Sequence, residues 1–98
     1  MSDGLIFKQG FDMLLAHHGG NVLIHKGWGT PNQKTQKVRA IKNSEKDRPN
    51  DVMFQFPKQM DIQVGDVIQQ EGARDLWEVV DTEDHVHLGI YVHFEAKV

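Results

Sequence analysis

The residues with most scope for chemistry are six histidines in a chain of 98 residues that has no cysteine. Imidazole nitrogens bind transition metals, and without thiolates any such site must be built from His, Asp and Glu. Three of the six, His85, His87 and His93, lie near the C-terminus, with Asp84 beside them. A His-x-His pair on a strand places both rings on one face, a spacing that suits a metal ion. His93 joins them only if a hairpin carries it across. The plainer expectation is that all three are half-exposed strand and turn residues, so no metal and no cofactor is assigned. His17 and His18 close a predicted helix, where a cation suits the dipole, and they point in different directions. His25 is expected to alternate outward on its strand.

Other catalytic chemistry finds little footing. Ser2 and Ser44 are the only serines, and both sit in polar segments with no His/Asp arrangement around them. Asp81, Glu83 and Asp84 cluster in a predicted turn without EF-hand spacing. The glycines match neither the phosphate-binding loop nor the dinucleotide fingerprint. The chain reads as non-enzymatic.

Nucleic acid is an alternative partner. Lys34, Lys37, Arg39, Lys42, Lys46 and Arg48 form a basic stretch, and Trp28 has a face on which a base can stack. Against this, the chain is net −3 and the stretch has no interleaved aromatic residue. Charge is unevenly spread. Residues 21–60 hold eight Lys and Arg against three acids, net +5, and residues 61–98 hold two against nine, net −7. That gives either two solvated faces or an electrically polar molecule that packs against copies of itself or an acidic partner.

The elements that position these groups follow from periodicity. Residues 3–18 predict a helix, with Phe7, Phe11, Leu14, Leu15 and His18 on one stripe and Gly19-Gly20 as its stop. From residue 21 the pattern becomes that of strands: 21–26, 35–43, 52–56, a strand entered through Val64-Gly65-Asp66-Val67, 76–81, and 89–98. In the last, Ile90, Val92, Phe94 and Ala96 share one face, and Tyr91, His93, Glu95 and Lys97 the other. Segments 27–36 and 43–51 predict mobile polar loops, and 82–88 a polar turn. Trp77 is placed near the core. The sum is one mostly β domain over 1–98, a small antiparallel barrel or sandwich of about six strands with an N-terminal helix. No apolar run approaches the roughly 20 residues of a membrane span, and a cytoplasmic protein is expected.

One phrase carries a family resemblance. Asp61-Ile62-Gln63-Val64-Gly65-Asp66-Val67-Ile68, then Gly72, then Leu76-Trp77-Glu78-Val79-Val80-Asp81, resembles a hairpin of small tailed-bacteriophage proteins. These are the head–tail connector proteins, of the head-completion or stopper type, and related tail-terminus subunits. The likeness covers about residues 5–18 and 52–98, and helix-then-barrel is similar to their layout. It implies a virion subunit that assembles with copies of itself as a ring at the portal–tail junction, near DNA. It implies no catalytic residue.

Overall fold

The computed structural model describes residues 3–45 and 48–98, and side chains within 8–44 and 51–98. Helix α1 runs Asp3–His18. Seven strands follow: β1 Gly20–Lys26, β2 Lys34–Glu45, β3 Arg48–Phe56, β4 Val67–Gln70, β5 Trp77–Glu78, β6 Asp81–His87 and β7 Ile90–Lys97. They form one antiparallel sheet in the order β5-β4-β1-β2-β3-β7-β6.

The long strand β2 joins the two halves of this sheet. Its first part pairs with β1, from Lys34↔Lys26 to Ala40↔Gly20, and its last part with β3, from Ile41↔Gln55 onward. The sheet curls, so that Trp77 of β5 meets Phe54 of β3 at 6.4 Å although three strands separate them in the order. It does not close: β5 and β6 end as edges. Alternation along each strand sends one set of side chains into the curl. Val22 and Ile24 of β1, Ile68 of β4, Phe54 and Phe56 of β3, and Phe94 and Ala96 of β7 share one core. Met60 and Ile62, in the segment between β3 and β4, plug it. Phe54 and Phe56 have no exposed surface, and each such burial stabilises by about 1.5–3 kcal/mol.

The helix lies on the other, outer face of the β3–β7–β6 half and packs mainly on β7. Phe11 is buried there, Leu15 is half-buried, and Leu14 is 54% exposed, so the expected apolar stripe is narrower than its spacing implied. His18 is exposed, and the Phe7 side chain lies outside the described residues. The helix ends where Gly19 N–H donates to the Leu15 carbonyl; a Cβ at Gly19 would lie 2.4 Å from that oxygen. Arg39 of β2 donates to the Leu15 and Ala16 carbonyls in the last turn of the helix, adding a second donor to the Leu15 oxygen.

Three expectations change. Segment 82–88 is not a turn: β6 occupies it, and the turn shrinks to Leu88-Gly89, with both φ positive. An edge strand can be polar because solvent, not core, lies beside it. Segment 43–51 is largely strand, since β2 runs to Glu45 and β3 starts at Arg48. Loop 27–36 ends at Gln33, where β2 takes over; Thr30 N–H donates to the Gly27 carbonyl and Gln33 N–H to that of Thr30. Among the described residues no helix is long and apolar enough to cross a membrane.

Candidate metal centre

The β6–β7 hairpin brings His93 across to His85. The two are direct cross-strand partners, and two residues along, Glu83 opposes Glu95. Partners in an antiparallel pair present side chains on the same face, so all four project from the outer face, beside α1. Beyond His85 the ladder slips, and Val92 is the extra residue, since Val86 pairs with Tyr91. This bulge has two effects. Tyr91 turns to pack against the core, contrary to the alternation expected for 90–97. His87 is carried past the His85/His93 pair, so the predicted His85-His87-His93 set does not assemble.

Glu95 takes the place of His87. Its carboxylate is buried and accepts from His85 Nε2 at 2.8 Å. The His85 and His93 rings stack at 4.3 Å with planes 16° apart. One ligand atom from each of His85, His93 and Glu95 lies within 4.8 Å of the others. Glu83 Oε2 stands 3.7 Å from His85 Nε2 on the open side. Spacing alone pointed to His-x-His; Glu95, at i+2 from His93, carried the same strand-face signal and was overlooked.

His93 is the least accommodated of the group. Phe11 stacks on it from the helix at 5.0 Å, and its Nδ1 is buried without a hydrogen-bond partner. Its Nε2 faces the Gln55 amide nitrogen at 3.4 Å. Burial, with the neighbouring His85 and Lys8 charges adding to it against the pull of Glu95, holds His93 below the ordinary histidine range. A shift in that direction favours the neutral imidazole, the form with a lone pair to offer. A cleft of about 190 Å³ lined by His85, Val86, His87, Val92 and His93 opens the site to solvent. On the helix side an apolar groove of about 470 Å³ runs between Phe11, Leu14 and Val92 and reaches Gln55 and His93.

The remaining expectations resolve differently. His25 does not point outward to solvent: it is buried between β2 and β4. Its Nε2–H donates to Gln69 Oε1 at 3.0 Å, which leaves Nδ1 to accept from the Thr35 hydroxyl at 2.8 Å. Trp28, 44% exposed, tilts over that ring at 4.8 Å and is a loop anchor as much as a stacking surface. Trp77 packs against the core as expected, under the Lys42 ammonium at 5.0 Å.

Among the described residues the basic stretch has no common face. Lys34 and Lys42 alternate with Lys37 and Arg39 along β2, so the two pairs leave opposite sides of the sheet. Lys37 is bound to Glu71 at 2.8 Å, Arg39 holds the helix end, and Lys42 caps Trp77. Lys46 and the Arg48 side chain lie outside the described residues. Lys26 contacts Asp66 at 2.7 Å and Asp61 at 3.9 Å, so part of the +5 segment is spent on the −7 segment within the chain. The V-G-D phrase is a turn of this kind. Gly65 has φ +97°, and the Asp66 carboxylate accepts from both Gln63 N–H and Lys26.

No protein family, curated protein or solved structure matches the chain.

Proposed function

We propose that the chain is a non-catalytic subunit of a protein assembly, joined to neighbouring copies through the β6–β7 hairpin. The observation that carries this reading is Leu88. It sits in a two-residue hairpin turn with φ +50°, where Asn or Gly is favoured, and its side chain is 66% exposed. A β-turn that places leucine in the left-handed region and in water is costly twice over, and such costs concentrate where the surface has a use. Val86 and Val80 are exposed at the two ends of the same edge strand. β6 is seven residues long and among the described residues has no strand partner on its outer side, which makes it a template for strand addition. Asp81, Glu83 and Asp84 along it repel a second copy of the same edge, so the favoured contact is between this edge and a different surface of the next copy. Contacts of that head-to-tail kind close into rings when the rotation between neighbours closes, and run on as filaments when it does not.

The narrower reading, a ring subunit at the head–tail junction of a tailed bacteriophage, rests on the helix-then-β layout and on the V-G-D turn with its answering strand. Light scattering and negative-stain microscopy of the purified chain test assembly. Rings that dissociate in Leu88→Asn support the proposal; a wild-type monomer at every concentration, or rings indifferent to Leu88→Asn, overturn it. A portal or tail gene adjoining this one supports the narrower reading.

A further inference from the structure

We propose that His85, His93 and Glu95 bind a divalent transition-metal ion of the zinc type, in a site that goes beyond the assembly reading and does not depend on it. Two imidazoles and one carboxylate are a donor set of three nitrogen and oxygen ligands that suits Zn²⁺ and leaves a fourth position open. Side-chain movement within this cluster brings the donors to the spacing the ion requires. Tetrahedral bonds of about 2.0–2.1 Å hold donor atoms roughly 3.3–3.4 Å apart. The three ligand atoms lie within 4.8 Å of one another, and His85 Nε2 and Glu95 Oε2 at 2.8 Å need to part by about half an ångström to admit the metal.

A second observation points the same way. The Gln55 amide nitrogen can donate to His93 Nε2 only if that nitrogen is bare. The ring proton is then on Nδ1, which is buried with nothing to accept it. With the Gln55 amide turned, Nε2–H donates to its oxygen and Nδ1 is a bare buried nitrogen, so in either tautomer Nδ1 has no partner until a metal binds it. Nδ1 is then deprotonated and bonded, Nε2 carries the proton, and the turned Gln55 amide presents its carbonyl oxygen to that proton. This is the carboxamide version of the outer-shell hydrogen bond that orients metal-bound histidines.

A metal lies in the plane of each imidazole that binds it, so the stacked pair must open. His85 is the ring free to move: its side chain is 38% exposed, whereas Phe11 and Gln55 hold His93 from two sides. Glu83, already 3.7 Å from His85 Nε2, is placed to fill the fourth position or to hold a water there. The ion enters through the cleft beside Val86 and His87.

Titration of the EDTA-stripped full-length chain with Zn²⁺ alone, followed by calorimetry near pH 7, tests the site. One equivalent is expected to bind, and His85→Gln, His93→Gln and Glu95→Gln are each expected to weaken it by roughly tenfold or more. His87→Gln and the double variant His17→Gln/His18→Gln are expected to bind as the wild type does. Glu95 is buried and its variant puts the fold at risk, so ¹⁵N-resolved imidazole resonances of the wild type provide the second readout. Zinc should shift those of His85 and His93. Absence of zinc binding, binding that survives His85→Gln but is lost with His87 or with His17 and His18, or unmoved His85 and His93 resonances would each overturn the proposal.

Discussion

Phe11 of the helix stacks on His93 of β7 with ring centroids 5.0 Å apart and planes within 20°. Since Leu14 is exposed, this pair, together with Lys8, does most of the fixing described for α1: the Lys8 ammonium donates to the Pro57 and Val92 carbonyls. The helix therefore rests on the same side chain that the candidate metal centre uses.

Phe11→Ala should cost about 3 kcal/mol, the lower end of the range for deleting a buried phenylalanine. Urea unfolding followed by circular dichroism measures it, with exposed Met13→Ala as the comparison, expected within about 0.5 kcal/mol of wild type. A loss under about 1 kcal/mol for Phe11→Ala would place the anchoring of the helix elsewhere.

Leu88→Asn should stabilise the isolated chain by about 1 kcal/mol, because asparagine tolerates the left-handed region that leucine resists. For a domain of this size that is a rise of roughly 4–8 °C in Tm. Differential scanning calorimetry checks it. Unchanged or lower stability would mean that leucine is at home in this turn, which removes the strain argument for an assembly role.

Arg39→Ala should destabilise by about 0.3–1 kcal/mol, since it releases the last helix carbonyls to water, and Arg39→Glu should cost more by placing an anion at the negative end of the helix dipole. Lys37→Glu would face Glu71 with a like charge. Charge reversal at these two positions thus acts on contacts within the chain. Helix content by circular dichroism checks this: an unaltered spectrum and unfolding midpoint in Arg39→Glu would dismiss the capping role.

The Tyr91 phenol donates to Asp84 Oδ1 at 2.8 Å, and burial, then this hydrogen bond and the carboxylate charge, push its ionisation well above the ordinary tyrosine range. The unfolded chain ionises Tyr91 near pH 10 while the folded chain keeps it neutral, so stability should fall as pH rises above about 10. Absorbance at the phenolate band gives the midpoint. Asp84→Asn should lower it without returning it to the ordinary value, because burial remains; an ordinary midpoint in the wild type would refute the argument.

Much of the fold was legible in the sequence because its signals are local. The helix bounds 3–18 follow from the Phe11–Leu15 spacing and the Gly19-Gly20 stop, and the mostly β remainder from short alternating runs. What was not legible depends on neighbours. Asp81-Thr82-Glu83-Asp84-His85 reads as a turn because edge-strand chemistry and turn chemistry use the same residues. The Val92 bulge has no sequence marker, and it carries His87 away from His85 and His93; Glu95 stands with them by plain alternation along β7. His25 looks outward by alternation, yet β1 lies inside the sheet, where Thr35 and Gln69 reach it from both flanking strands.

The shared strand β2 has a consequence for cooperativity. Because one continuous peptide segment supplies the partner for β1 and then for β3, there is no hinge at which half of the sheet can melt while the other keeps its ladder. Both tryptophans belong to the β5-β4-β1-β2 half, Trp28 in the loop that joins β1 to β2 and Trp77 in β5, whereas the lone tyrosine, Tyr91, lies in β7 of the other half. Tryptophan emission and the near-ultraviolet signal of Tyr91 should therefore follow a single denaturation curve, all-or-none across the whole sheet.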